Sequence, residues 1–197
     1  FRSDRYNGNL LQLDQDRVKC VDLVVIGGST GAPPVFQKIL SQLPRPYPPV
    51  VVVQHIPPKF QTSFAQELAY HSGLDLKLVS GEEELKRNTL YVADVDKHIQ
   101  LKPKGDKFVV ESDESSPYKG LRPCVHRLFE SASRLHSTNV LGVLLTGMGD
   151  DGSMALGSMR KAGQYTVAQD LSSSVVFGMP KVAIDFDNVD YIGSADK

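Results

Sequence analysis

The sequence predicts an α/β fold, a doubly wound, mostly parallel sheet with an antiparallel hairpin at one edge. Three observations carry that expectation. First, three short runs, Val24-Val25-Ile26, Val50-Val51-Val52-Val53 and Val140-Leu141-Gly142-Val143-Leu144-Leu145, are apolar without polar alternation, as strands covered on both faces are. Second, each run leads through a turn into a segment with apolar residues at helical spacing, the series from which right-handed βαβ connections and a parallel sheet are built. Third, residues 99–101 and 108–110 flank Pro103-Lys104-Gly105-Asp106, which reads as a hairpin.

The 197 residues, 41% of them hydrophobic, can bury one sizeable core, and the length favours one domain. With 22 basic and 23 acidic residues and no basic block, a general nucleic-acid footprint is excluded. No run approaches the roughly 18 apolar residues of a membrane span, and the opening FRSDRYNGN lacks the layout of a signal peptide, so a cytoplasmic location is expected. Cys20 and Cys124 have no C-x-x-C spacing; both are expected as buried or half-buried thiols, outside any disulfide framework or zinc site.

In chain order, residues 1–19 are polar and mixed in charge, with a turn signal at Asn7-Gly8-Asn9, and read as a tail or linker ahead of a domain over residues 20–197. A strand at 22–26 passes through Gly27-Gly28-Ser29-Thr30-Gly31 into a helix at about 33–41, where Pro33 and Pro34 preset φ for the first turn. A proline-rich loop at 44–49 precedes a strand at 50–54, which Pro57-Pro58 stop. Phe60, Phe64, Ala65 and Leu68 then mark a helix over 59–71.

Residues 76–79 and 90–93 read as short strands separated by a charged loop at 81–88. Lys102, Lys104 and Lys107 in the hairpin region read as charges that protect a sheet edge. Val125, Leu128, Phe129, Ala132 and Leu135 give helical spacing across 122–136, and a strand at 139–145 runs into a second glycine-rich turn, Thr146-Gly147-Met148-Gly149-Asp150-Asp151-Gly152. A helix at 153–162, a strand at 165–169, a polar loop at 170–174 and a last short helix after Pro180 complete the chain.

The first turn fits G-x-S-x-G, in which small neighbours let the chain reverse so sharply that a serine hydroxyl stands clear at the strand end. Taken alone, this turn equally suits a nucleophile, an anion cradle or a plain turn. A dinucleotide site would need G-x-G-x-x-G, whose second glycine is Ser29 here, and an acid at the next strand end, where Gln54-His55 stands. No Gly-Lys-Ser/Thr follows either, so Walker A is absent.

In an open parallel sheet the ligand site lies beyond the carboxyl ends of the strands. Three turns at such ends carry Ser29, His55 and Asp150/Asp151, the nucleophile, base and orienting carboxylate that acyl transfer requires. Asp151 also suits the N-cap of the helix that follows it, and Asp170 is a second candidate for the orienting acid. His71, His98, His126 and His136 form no metal spacing and read as structural or solvated.

Gly28-Ser29-Thr30-Gly31, Gln54-His55-Ile56-Pro57-Pro58 with Phe60 and Phe64, Asp96-Lys97-His98, Leu145 through Gly152, Ala168-Gln169-Asp170 and Ser174-Val175-Val176-Phe177-Gly178-Met179-Pro180 together resemble a known family. It is the catalytic domain of the chemotaxis receptor methylesterases, the CheB-type protein-glutamate methylesterases, matched in order and spacing over residues 21–184. The resemblance implies a doubly wound α/β fold and a catalytic triad of Ser29, His55 and Asp151. It implies oxyanion and substrate-binding roles for Met148, through its main-chain N–H, and for Thr30 and Gly149. The implied activity is serine hydrolysis of methyl esters on glutamate side chains of chemoreceptors, with deamidation of glutamine as a second reaction, and no metal or organic cofactor.

The implied partners are methylated cytoplasmic receptor helices and a receiver domain outside this chain, with no nucleic acid and no membrane insertion. Nineteen residues are too few for a receiver, so the chain as it stands is expected to be open or regulated by something else. Ala32, Leu171, Cys124, His126 and Asp94-Val95 depart from the family's usual residues. Leu171 and His126 motivate the alternative of a degenerate member that binds receptor or another protein without turnover.

Overall fold

The computed structural model describes residues 4–7, 20–42, 45–136 and 138–195. Strand β1 (Leu23–Gly28) lies inside a seven-stranded sheet of order β10-β9-β8-β1-β2-β5-β3. Its companions are β2 (Val50–Gln54), β3 (Asp75–Val79), β5 (Thr89–Ala93), β8 (Val140–Leu144), β9 (Tyr165–Gln169) and β10 (Tyr191–Gly193). All pair in parallel. The expected fold class is therefore the observed one.

Alternation along β1 sends its side chains to two cores. Leu23 and Val25 face α3 (Val125–Ala132), α4 (Ser153–Lys161) and α5 (Met179–Asp185), in a cluster with Leu128, Phe129, Leu156, Met159 and Ile184. Val24 and Ile26 face α1 (Pro33–Gln42) and α2 (Pro58–Ser72), in a cluster with Phe36, Leu40, Phe64 and Leu68. Burying each such Leu or Phe contributes about 1.5–3 kcal/mol, which is why the continuous apolar runs sit at the centre of the sheet.

The hairpin exists as β6 (His98–Lys104) and β7 (Lys107–Asp113), but it joins β4 (Glu82–Glu84) in a separate three-stranded sheet of order β4-β7-β6. An acidic triplet has poor strand propensity, so 81–88 reads as loop in the sequence. The pairing is supported from across the sheet: Lys107 donates to Glu84 at 2.9 Å, and Lys104 pairs with Glu82. Ile99, Leu101 and Val110 turn the other face of this small sheet into the α3 side of the core.

Helix α3 is shorter than the periodicity of 122–136 suggests. Pro123 disfavours helix in the residue before it, and Cys124 is extended at φ −128°, ψ 145°. Cys124 is buried as expected, whereas Cys20 is exposed, because it precedes β1 at the open edge of the core. Of residues 1–19, Asp4–Tyr6 form a 3₁₀ turn docked on α5 and on the loop after β9. The Tyr6 ring meets Phe177 edge-on at 5.3 Å, Leu171 N donates to Tyr6 O, and Ser172 N donates to Asn7 Oδ1. The remainder of that expected tail lies outside the described residues.

His98 at the head of β6 is fully buried, with Nε2 against the Ser116 carbonyl at 3.3 Å and Nδ1 without a partner among the described residues. Burial is the main cause that pushes its pKa below the ordinary value, and the Arg127 and Arg122 charges add to it. The unfolded chain therefore takes up this proton first, so the associated stability is present above the ordinary histidine pKa of 6.5 and is lost as pH falls below it. Urea unfolding at about pH 7.5 and about pH 5.5 should show wild type losing stability on acidification and His98→Asn losing less. Equal losses in the two proteins would remove His98 as the cause.

Candidate active site

The site stands where the direction of winding reverses. From β1 the chain crosses to β2 on one side, whereas from β8 it crosses to β9 on the other, which opens a crevice at the carboxyl ends of β1 and β8. Ser29 follows the last residue of β1. Its N–H donates to Thr146 O at 3.0 Å and its carbonyl accepts from Ala32 N at 3.0 Å, closing a tight turn through Gly31 at φ 83°. The two turns touch closely: a Cβ on Gly147 would lie 2.6 Å from the Ser29 Cβ. Only glycine permits that approach.

His55 extends the β1–β2 ladder by one step, its N–H donating to Gly28 O at 3.1 Å. Ser29 and His55 are thus the first residues beyond the paired ends of neighbouring strands, and strand alternation turns both side chains to the face that carries α3. Asp151 comes from the turn after β8. Its Oδ2 accepts from His55 Nε2 at 2.7 Å, and the pair is mostly buried.

The same carboxylate caps α3 from outside that helix, taking Val125 N on Oδ2 at 2.7 Å and His126 N on Oδ1 at 3.0 Å. These are the first amides of a helix whose own N-cap residue, Cys124, offers no side-chain bond. The capping role expected of Asp151 is real, but it falls on α3. Helix α4 begins instead from Gly152 in the left-handed region, φ 80°.

Burial acts to raise the Asp151 pKa, yet the hydrogen bond and charge of His55 and the two α3 amides outweigh it and hold the carboxyl below its ordinary value. Asp151 is therefore ionised at neutral pH. An ionised carboxylate only accepts, so His55 Nε2 carries a proton and Nδ1 is the basic nitrogen. Among the described residues neither Ser29 Oγ nor His55 Nδ1 has a hydrogen-bond partner. The structure brings His55 and Asp151 into contact and holds Ser29 at the end of the neighbouring strand, with no Ser29–His55 hydrogen bond.

Asp170 is engaged elsewhere. Its carboxylate takes Ser172 Oγ at 2.9 Å and Ser173 N at 3.0 Å within its own loop, so Asp151 is the acid that reaches the imidazole. Met148 is exposed, and Gly149 follows it at φ 86°. Among the described residues the amides of Thr30, Met148 and Gly149 donate to no protein acceptor. The loop is braced from behind, for Gly147 N donates to Val176 O and Gly147 O accepts from Met179 N. An open cleft of about 300 Å³ borders His55, lined by Ile56, Pro57, Gly120, Leu121, Arg122 and Pro123. Among the described residues, no group of three or more His, Cys, Asp or Glu is placed to hold a metal ion.

Sequence reasoning missed a set of polar braces. Thr146 Oγ1 lies 3.0 Å from Thr30 O and accepts from Val176 N at 2.9 Å, while Thr146 N donates to Gln169 Oε1 at 2.8 Å. Gln54 Nε2 reaches two carbonyls, those of Ser29 and His55. The available signal was position: each is a polar residue at, or just beyond, the end of an apolar strand.

The family model for CheB methylesterase matches residues 24–197. The chain is 42% identical over 170 residues to a protein-glutamate methylesterase/protein-glutamine glutaminase of Anaeromyxobacter dehalogenans, covering 86% of this chain and 48% of that protein. It is 33% identical over 184 residues to a probable protein-glutamate methylesterase of Borreliella burgdorferi, covering 93% of this chain and 49% of that protein. The chain thus spans about half the length of these curated relatives. The crystal structure of the Thermotoga maritima CheB methylesterase catalytic domain superposes with a TM-score of 0.84 at 36% identity, over 89% of this chain and 93% of that one. A family match over nearly the whole chain, joined to the same fold, means that this chain belongs to the CheB methylesterase family.

Proposed function

We propose that residues 20–197 are a methylesterase catalytic domain that hydrolyses glutamate γ-methyl esters on chemoreceptor helices and deamidates glutamine there, with residues 1–19 as a tail or linker. The observation that carries this reading is the ionised, buried Asp151 hydrogen-bonded to His55, with Ser29 at the neighbouring strand end and its hydroxyl without a partner among the described residues. Ser29 is the nucleophile, His55 the general base and acid, and Asp151 the group that holds the imidazole tautomer.

Ser29 Oγ attacks the ester carbonyl carbon while its proton passes to His55 Nδ1. The carbonyl oxygen becomes an oxyanion that accepts from the free amides of Met148, Gly149 and Thr30, each such donor worth roughly 3 kcal/mol in comparable sites. The C–O bond to the methoxy group then breaks, and the Nδ1 proton goes to the departing oxygen, releasing methanol. Water, deprotonated by Nδ1, attacks the acyl-serine; the glutamate carboxylate leaves and Ser29 regains its proton. With a glutamine side chain the same steps release ammonia.

The names of the relatives support the choice of ester and amide. The domain is proposed to act in the cytoplasm, under a receiver domain outside this chain. No helix among the described residues is long and apolar enough to cross a membrane. The degenerate, non-hydrolytic alternative draws no support from its two cues. His126 keeps its main-chain bond to Asp151 and stacks on Tyr118 at 4.3 Å, and Leu171 lies in the loop held by Tyr6, so neither disturbs the Ser29–His55–Asp151 group.

The test is methanol release from methylated chemoreceptor membranes. Ser29→Ala should abolish release while leaving the melting temperature unchanged, and retained turnover would remove Ser29 from the mechanism. Asp151→Asn should lower kcat roughly 10⁴-fold, as at other triads whose carboxylate is made an amide. Because the folded Asp151 pKa is depressed, its stabilisation is present above the ordinary value of 3.8 and lost as pH falls through the folded value. Acid unfolding of Asp151→Asn should lack that component, and an unchanged acid limb would contradict the assignment.

A further inference from the structure

Gln54 ends β2 opposite Gly28 and is 4% exposed. Its Nε2 donates to Ser29 O and to His55 O, both at 2.9 Å, while its Oε1 is buried with no partner among the described residues. The orientation is fixed by chemistry: both neighbours are carbonyl oxygens, so only the NH₂ end of the amide can face them. Strand alternation puts this side chain on the α1/α2 face, with Val50 and Val52, behind the backbone whose front face carries the imidazole. Glycine at 28 leaves it room, for a Cβ there would lie 3.2 Å from Oε1.

A buried acceptor left unpaired is unfavourable, and native proteins rarely keep one without a return elsewhere. Here the return is a single rigid group bonded to the main chain of both the nucleophile and the base. The backbone ladder contributes only His55 N to Gly28 O at this level, one residue short of Ser29. Beyond it, the Gln54 amide is what ties the Ser29 peptide to the His55 peptide.

Resting on the esterase reading above, we propose that Gln54 is a positioning residue that sets the Ser29–His55 separation from behind the sheet. Its two N–H bonds fix the two carbonyls, hence the directions in which the Ser29 and His55 side chains leave the backbone. A shift of about 1 Å between reacting groups lowers a rate by roughly 10²-fold. That sensitivity is what the amide controls.

Gln54→Met keeps the volume and exchanges one unpaired acceptor for another, removing Oε1 but leaving His55 O without its amide while Ser29 O keeps Ala32 N, so stability should hold while alignment is lost. With a peptide carrying a glutamate γ-methyl ester and methanol as readout, kcat per folded molecule should fall roughly 10²-fold, KM should stay within about twofold, and the melting temperature within about 4 °C. Gln54→Glu, of the same shape but without donors when ionised, should be at least as impaired per folded molecule. A fully active, folded Gln54→Met would overturn the proposal. So would loss of the fold in both variants, which would make the amide a stability element. Wild type inert on the peptide, at the level of Ser29→Ala, would instead sink the esterase reading, and the two failures are thereby distinct.

Discussion

The architecture of the site depends on one buried negative charge. Asp151 is 6% exposed, and an ionised carboxylate so placed is sustained only by donors that replace water. It finds them on two segments far away in sequence, the His55 ring and the first turn of α3. The start of α3 is therefore fixed in space by the carboxylate rather than by its own N-cap. That demand propagates into the glycine pattern. With α3 anchored there, Val125 fills the gap between β1 and the turn after β8, and a Cβ on Gly27 or Gly152 would lie 2.2 or 2.4 Å from its Cγ1. The glycines at these positions are bare so that a helix can come close enough to hold a charge.

The two faces of the sheet divide the work. On the α3 side stand Ser29, His55 and Asp151, each from the turn after a different strand. On the α1/α2 side and between the loops stand amides and a hydroxyl that bond only to main chain: Gln54 behind Ser29 and His55, and Thr146 across the Thr30 and Val176 peptides. Side-chain-to-backbone bonds are suited to this task because they fix a loop without adding charge near the reacting groups.

Much of this was legible in the sequence, and what was not has physical reasons. The wholly apolar runs identify β1, β2 and β8 because burial on both faces leaves no polar alternation. The Ser29 turn alone suits a nucleophile, an anion cradle or a plain turn, and only His55 and Asp151 at other strand ends distinguish these, since position at a strand end is a topological property that single motifs lack. Strands β4 and β10, three residues each, escape because their pairing is decided by partners elsewhere in the chain: lysines of the hairpin for Glu82–Glu84, and parallel pairing with β9 for Tyr191–Gly193. Asp151 looks like a cap and is one, but for a helix 26 residues upstream, counted from Val125, a relation no local spacing encodes. The braces stay hidden for the same reason, because a bond to a carbonyl leaves no trace in the identity of the residue that owns it.

A last step concerns the donors that remain free. The amides of Thr30, Met148 and Gly149 sit in turns held on both sides, by Thr146 and by the Gly147–Val176 and Gly147–Met179 bonds, yet they are given no protein acceptor among the described residues. All three residues are exposed, so these amides face the mouth of the site. Left-handed glycine at 149 and close backbone packing against Gly178, where a Cβ would lie 2.6 Å from Gly147 O, fix the path of the loop. Under the proposed esterase mechanism, donors held fixed in this way interact weakly with a neutral carbonyl and strongly with the anion it becomes, so the rigidity of the turn is itself a contribution to rate.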